Sequence, residues 1–286
     1  MSSESLAAPA PPGVFDHRDA GTPVAAWAAS GLIDQASTLD IAGLRHLIVV
    51  AAHPDDESLG AGGLIAHAAA AGVPVTVVVA TAGEASHPES TTIRPAALAA
   101  IRRAEVTAAV AVLAPGAVVR QLDLGDGRLA GSVDELAGEI RALVDGFGDG
   151  TWVVAPWRED RHPDHAAASA AAQQVAGHTG CRLLEYPVWA WHWARPGDGT
   201  LRAETMTALD LSAAVRVAKA GALAAHRSQV EPLSEEPGDE AIVPAGFRDH
   251  FRGARELFVD SSRLAGMSRQ PGTSRLTGAS RLAGNE

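Results

Sequence analysis

The sequence predicts an α/β fold: a Rossmann-like, mostly parallel sheet with helices on both faces and a site at the carboxyl ends of the strands. Three observations predict it. Continuous apolar runs of strand length recur at LIVVAA (47–52), VPVTVVVAT (73–81) and TWVVAP (151–156), as expected of strands covered on both faces. Longer segments with helical patterning alternate with them. Polar clusters follow the strands, where open α/β sheets place their chemistry.

The elements follow in chain order. Residues 1–22 are rich in Pro, Ala, Ser and Gly and are expected to form a disordered arm. After strand 47–52, residues 59–71 form a Gly/Ala-rich helix ending at Gly72. Gly60, Gly62 and Gly63 lack the G-x-G-x-x-G spacing of a dinucleotide loop, so tight helix–sheet packing accounts for them. Strand 73–81, helix 95–113 and strand 118–124 come next. Helix 132–144 opens with Ser132 and Glu135 at capping-box spacing. Strand 151–156, helix 165–176, strand 181–189 and helix 212–226 complete the pattern. A short repeat, SRLAG, SRLTG, SRLAG, lies in 262–286, which reads as a disordered tail. The expected organisation is one domain over 23–261.

The composition narrows the function. The chain has 286 residues, 47% hydrophobic and 20% charged, enough for a sizeable core. A net charge of −11 argues against broad binding to nucleic acid. A single cysteine, Cys181, excludes an intrachain disulfide and a Cys-based metal site. The sequence shows no signal-peptide pattern and no membrane span, so a cytoplasmic location is expected.

The chemistry lies in HPDDE (53–57) after the first long strand and RHPDH (161–165) after the fourth, with TAGE (81–84) and LDLGDG (122–127) ending the strands between. Three carboxylates and an imidazole within five residues repel one another, and a cation offsets that cost. His53 and Asp56, spaced i and i+3, can face one point. His162 and His165 repeat the spacing. Two histidines and one carboxylate, drawn from His53, Asp56 and one of the later histidines, suit a catalytic divalent ion with an open position for water. Zn²⁺ is expected, with Fe²⁺ or Mn²⁺ as alternatives. Asp55 then stands beside metal-bound water as a general base. The remaining histidine has Asp164 as neighbour, a pairing that favours imidazolium. His67, His87, His178 and His250 lack such company. His226, in HRSQ (226–229), is left off the catalytic set.

AHPDDE together with a later HPDH resembles the PIG-L/LmbE-like N-deacetylases, zinc-dependent enzymes that remove acyl groups from amino sugars. The resemblance extends over about 45–260 and includes TAGE, RRAE (102–105), LGDG (124–127) and HRSQ. It implies His53, Asp56 and His165 as metal ligands and Asp55 as general base. It implies His162 as the electrophilic or acid histidine, oriented by Asp164, and Glu84, Arg102 and Asp126 as substrate contacts. The implied substrate is a small-molecule amino-sugar conjugate. Some relatives acting on inositol-linked glucosamine carry a Tyr where this chain has Asp160.

Two other functions fit parts of the pattern. An amidase of a thiol-cofactor conjugate would use the same site. A Mg²⁺-dependent phosphoryl-transfer enzyme could use Asp55 as nucleophile, but the histidines of RHPDH argue against it. A silent binding module has no need of both Asp55 and His162. Finally, Trp189, Trp191 and Trp193 alternate in YPVWAWHWARP (186–196). In an extended segment they share one face, either a packed edge or a platform for a sugar ring or apolar aglycone.

Overall fold

The computed structural model describes residues 15–261. The expectations for 1–14 and for the tail 262–286 lie outside the described residues. The strands are β1 (Ser37–Thr38), β2 (His46–Ala51), β3 (Val75–Val79), β4 (Val118–Gln121), β5 (Thr151–Pro156), β6 (Arg182–Tyr186), β7 (Met206–Asp210) and β8 (Arg255–Asp260). They form one eight-stranded sheet in the order β1-β7-β8-β6-β5-β2-β3-β4. Every pairing is parallel except those of β8 with β6 and β7. The chain runs β2, β3, β4 towards one edge, then returns to place β5 and β6 on the other side of β2. The order reverses between β2 and β5, where such sheets open a crevice at their carboxyl ends.

The helices are α1 (Val24–Ser30), α2 (Leu32–Gln35), α3 (Asp56–Ala70), α4 (Pro95–Leu113), α5 (Val133–Phe147), α6 (Pro163–Thr179), α7 (Ala190–Trp193), α8 (Ala213–Ala225), α9 (Arg227–Val230) and α10 (Ala245–Arg248). Successive strand side chains point to opposite faces and bury in two separate cores. Leu47, Val49 and Ala51 join Val75, Val77 and Val79 under α3, α4 and α8. Ile48 and Val50 join Val153 and Ala155 under α5 and α6.

The α3 glycines set the depth at which the site is built. A Cβ on Gly60 would lie 2.0 Å from Tyr186 Cδ2, and one on Gly63 would lie 2.6 Å from Leu211 Cδ2. Only Gly lets α3 lie this close to the sheet and carry its first turn to the end of β2.

Three local expectations need correction. Residues 15–22 are not a free arm. Thr22 donates its N–H to His192 O (2.8 Å), and the Phe15 ring lies 5.0 Å from that of Trp189. The Ser132–Glu135 capping box does not form: a 3₁₀ turn at Leu129–Gly131 leads into α5, and the Ser132 side chain makes no capping hydrogen bond. The three tryptophans do not share a face, because the chain turns helical at α7 after Pro187. Trp191 packs edge-on against Trp27, Trp189 stacks on Phe247, and the Trp193 indole donates to Asp160 O (3.1 Å).

Candidate active site

The loops after β2, β3, β4 and β5 converge on one cavity of about 430 Å³. His53, Asp55, Asp56, Arg102, Asp126 and His162 line it. His165, Asp164 and Glu84 stand behind these residues. Three of the loops contain a non-glycine residue in a positive-φ conformation: Asp55 (φ 127°), Asp123 (φ 55°) and Arg161 (φ 60°). Such backbone costs of order 1–3 kcal/mol per residue and persists where the surroundings enforce it.

At Asp55 the enforcing groups are visible. Its N–H donates to Glu57 Oε2 (3.0 Å). Glu57 Oε1 accepts from Ser58 Oγ (2.6 Å) and pairs with His226 Nε2 (3.0 Å). Glu57 and His226 are both fully buried. Burial disfavours the charged imidazole, but the Glu57 carboxylate outweighs it and raises the His226 pKa above its ordinary value. His226, left off the catalytic set, thus holds the turn that aims Asp55.

The second turn residue, Asp56, faces two histidines. Its Oδ1 lies 3.3 Å from His165 Nε2, and its Oδ2 lies 3.6 Å from His53 Nδ1. The imidazoles hold its pKa well below the usual carboxylate range despite its burial. Asp55 has no such partners. Burial, with Asp56 beside it, pushes its carboxyl up to about 7. Two adjacent carboxyls are therefore driven apart in acidity by their surroundings.

His165 is completely buried, and Asp160 and Asp56 raise it to about 9 against the effect of burial. Its Nδ1 meets Asp160 Oδ2 at 2.7 Å, while Nε2 has no hydrogen-bond partner. An orphaned ring nitrogen, facing a carboxylate and fixed from behind by a second one, has the form of a metal ligand with its outer support. Nitrogens of His53, His162 and His165 lie within 4.8 Å of one another. These donors fit a divalent cation.

Asp164 differs from expectation. Its carboxylate does not orient His162. Oδ2 accepts from Gly127 N (2.7 Å) and lies 3.2 Å from His53 Nε2, while Oδ1 accepts from Leu129 N (3.1 Å). Position 164 is the second residue of α6, so its side chain turns towards the loop after β4 rather than back over His162. Its backbone N–H instead donates to His162 Nδ1 (3.2 Å). His162 is not imidazolium either. Burial and the neighbouring imidazoles His165 and His53 push its pKa down to about 3. With Nδ1 accepting, the neutral ring carries its proton on Nε2.

Among the residues matched to substrate contacts, Arg102 is buried, donates Nη1 to Gly83 O (2.7 Å) and leaves Nε and Nη2 without partners. Asp126 accepts from Ala85 N (2.8 Å) and lies 3.2 Å from His53 Nε2. Glu84 does not line the cavity. It accepts from Asp126 N (3.1 Å) and so positions that loop. Asp160, seen in the sequence only as a departure from some relatives, also accepts from Val188, Trp189 and Ala190 N–H groups. The D-x-H-P-D-H spacing contained that signal.

Comparison with known proteins agrees with this architecture. The profile of the PIG-L family, described as GlcNAc-PI de-N-acetylase, matches residues 48–176. A 1D-myo-inositol 2-acetamido-2-deoxy-alpha-D-glucopyranoside deacetylase of Rhodococcus jostii (strain RHA1) is 30% identical over 243 residues, 65% of this chain and 82% of that protein. One from Actinosynnema mirum is 35% identical over 157 residues, 43% of this chain and 51% of that protein, so the chain spans about half its length. The structure of teicoplanin deacetylase Orf2 in a zinc-inhibited form shares the fold, with a TM-score of 0.57 at 20% identity over 75% of this chain and 97% of that one. On its match along most of the R. jostii protein, the chain belongs to the PIG-L family.

Proposed function

We propose that this protein hydrolyses the amide of an N-acyl amino sugar or its conjugate, releasing a carboxylic acid and a free amine. The relatives named as amino-sugar deacetylases support the substrate class. One observation favours the chemistry above the rest: the buried Asp55 carboxyl lines the cavity beside Asp56, whose two carboxylate oxygens lie 3.3 Å from His165 Nε2 and 3.6 Å from His53 Nδ1.

In this reading His53, Asp56 and His165 hold the cation. Zinc is the first choice, with Fe²⁺ or Mn²⁺ as alternatives for this ligand set. A bound divalent ion supplies Lewis acidity to the acyl carbonyl and lowers the pKa of water at the site. Asp55 orients the attacking water and takes its proton as the new C–O bond forms. A buried carboxyl at this position is placed both to accept that proton and to return it. Neutral His162, its tautomer fixed by the Asp164 N–H, donates from Nε2 to the developing oxyanion. Asp55 then passes the proton to the departing nitrogen. Arg102 and Asp126 hold the sugar, and Glu84 supports Asp126. The nitrogen-rich donor set does not favour the Mg²⁺ phosphoryl-transfer alternative.

We read the described residues as one catalytic domain with a core on each face of its sheet. Among them no helix is long and apolar enough to cross a membrane. The single free cysteine agrees with a cytoplasmic setting. The reading is tested by loading the protein with Zn²⁺ and following amine release from N-acetylglucosamine and its conjugates. Release that stops on chelation and returns on reloading is the expected result.

A further inference from the structure

The cavity has two unlike halves. One carries His53, Asp55, Asp126, Arg102 and His162. The other carries the partly exposed apolar side chains Phe15, Trp189 and Ile242, backed by the buried Leu59 and Val188, with His17 edge-on to Trp189. Bond cleavage at the amide uses the polar residues and gives these apolar side chains no part in the chemistry. A concave cluster of partly exposed apolar rings beside a polar centre suits a ligand with an apolar part.

The cluster is built and held rigid. The Trp189 N–H donates to Asp160 Oδ2 (2.9 Å), the same oxygen that meets His165, so the cluster is fastened to the reacting centre. One aromatic neighbour, Phe247, stacks on Trp189 with ring centres 4.7 Å apart and planes 14° apart. Another, Phe15, lies 5.0 Å away, tilted by 37°.

The segment that brings Phe15 here is also tied down. Thr22 Oγ1 donates to Ala194 O (2.6 Å), and His192 Nε2 lies 3.1 Å from Asp16 O. Gly21, at φ 63°, passes so close to His192 that a Cβ would lie 2.2 Å from its Nδ1. Aromatic rings already ordered in this way bind an apolar ligand without losing side-chain freedom.

We propose that the substrate carries an apolar, preferably aromatic, substituent that packs against Phe15 and Trp189 while its amide lies at Asp55. This rests on the deacetylase reading above and narrows it to conjugates whose aglycone or acyl chain is apolar. The two sources share one chemistry, and the test separates them.

Zinc-loaded full-length protein is assayed for amine release with two substrate series. The first holds N-acetylglucosamine fixed and varies the aglycone from none through methyl and phenyl to naphthyl. The second lengthens the N-acyl group of glucosamine from acetyl to hexanoyl. In one series kcat/KM rises by about tenfold or more, mostly through KM, as expected for burial of one aromatic or alkyl group. The rise shrinks in both Phe15→Ala and Trp189→Leu. Phe15 lies outside the sheet core, so its variant reports even where Trp189→Leu perturbs folding. Turnover with both series flat, or a rise that survives both variants, overturns this inference and leaves the deacetylase reading standing. No amine from any substrate overturns both.

Discussion

Asp160 Oδ2 lies 2.7 Å from His165 Nδ1, and both side chains are fully buried. The carboxylate holds the His165 ring so that Nε2 faces Asp56, and it anchors the Val188–Ala190 amides at the same time. Asp160→Ala removes both functions. It is expected to weaken metal affinity by about 10–100-fold, as for other outer supports of ligating histidines. Asp160→Asn keeps an acceptor for the amides and should lose less. Competition with a chromophoric chelator measures both, and unchanged affinity in the alanine variant would remove Asp160 from the account.

The strained turn gives a prediction of opposite sign for stability and activity. Asp55 has a backbone that glycine adopts more readily, and its carboxyl is buried beside Asp56. Asp55→Gly should stabilise the metal-free protein by about 1 kcal/mol, through relief of strain and of carboxylate repulsion. It should abolish amine release. Urea unfolding monitored by circular dichroism checks the first part, and a destabilised variant contradicts it.

The α3 contact with the sheet is equally open to test. Gly60→Ala forces a methyl into the Tyr186 ring, so helix or ring must move. The expected cost is about 1–3 kcal/mol, with weaker metal binding because Asp56 opens the same helix. Unfolding and metal titration on one sample should shift together.

A pH dependence follows from His250, which packs near Phe247 and whose pKa is pushed down to about 4 by burial. Its folded pKa lies below the unfolded value, so the unfolded chain takes up the proton more readily. The stability from this group is present above about pH 6.5 and is lost as pH falls towards 4. Between pH 7 and 5 the loss should be of order 1–2 kcal/mol. Unfolding free energies at the two pH values should differ by that much less in His250→Gln than in wild type, and equal slopes would contradict the assignment.

The parts of this fold that were legible in the sequence are those in which local pattern and tertiary role coincide. LIVVAA and TWVVAP are apolar on both faces because they lie at the centre of the sheet, and a run of that kind has little else to be. Strand β8, RELFVD, did not stand out. It contains Glu256 and Asp260, which are buried only because distant groups meet them: Glu256 takes Lys219 and the α3 amides, and Asp260 takes Arg182. Nothing near either residue announces those partners. Its antiparallel place between β6 and β7 is a long-range pairing of the same kind.

The candidate site divides in the same way. Spacing brought His53, Asp56, His162 and His165 into view, because i and i+3 residues on a turn converge whatever surrounds them. The pairing of Asp164 with His53 rather than His162 depends on the loop after β4, whose Gly127 and Leu129 amides take the carboxylate. The tryptophan segment misled because alternation implies an extended strand only where the backbone stays extended. Asp160, nearly thirty residues away in sequence, gathers three successive amides and favours the turn into α7.

In the proposed reaction Asp55 acts on the substrate's water while its neighbours hold the cation. The most direct measurement is metal content and amine release on the same preparation of Asp55→Asn. About one equivalent of divalent metal is expected, as in wild type, with amine release reduced by at least about a hundredfold. An Asn variant that keeps wild-type turnover, or that loses its metal along with its activity, contradicts the separation of roles between Asp55 and the His53–Asp56–His165 set.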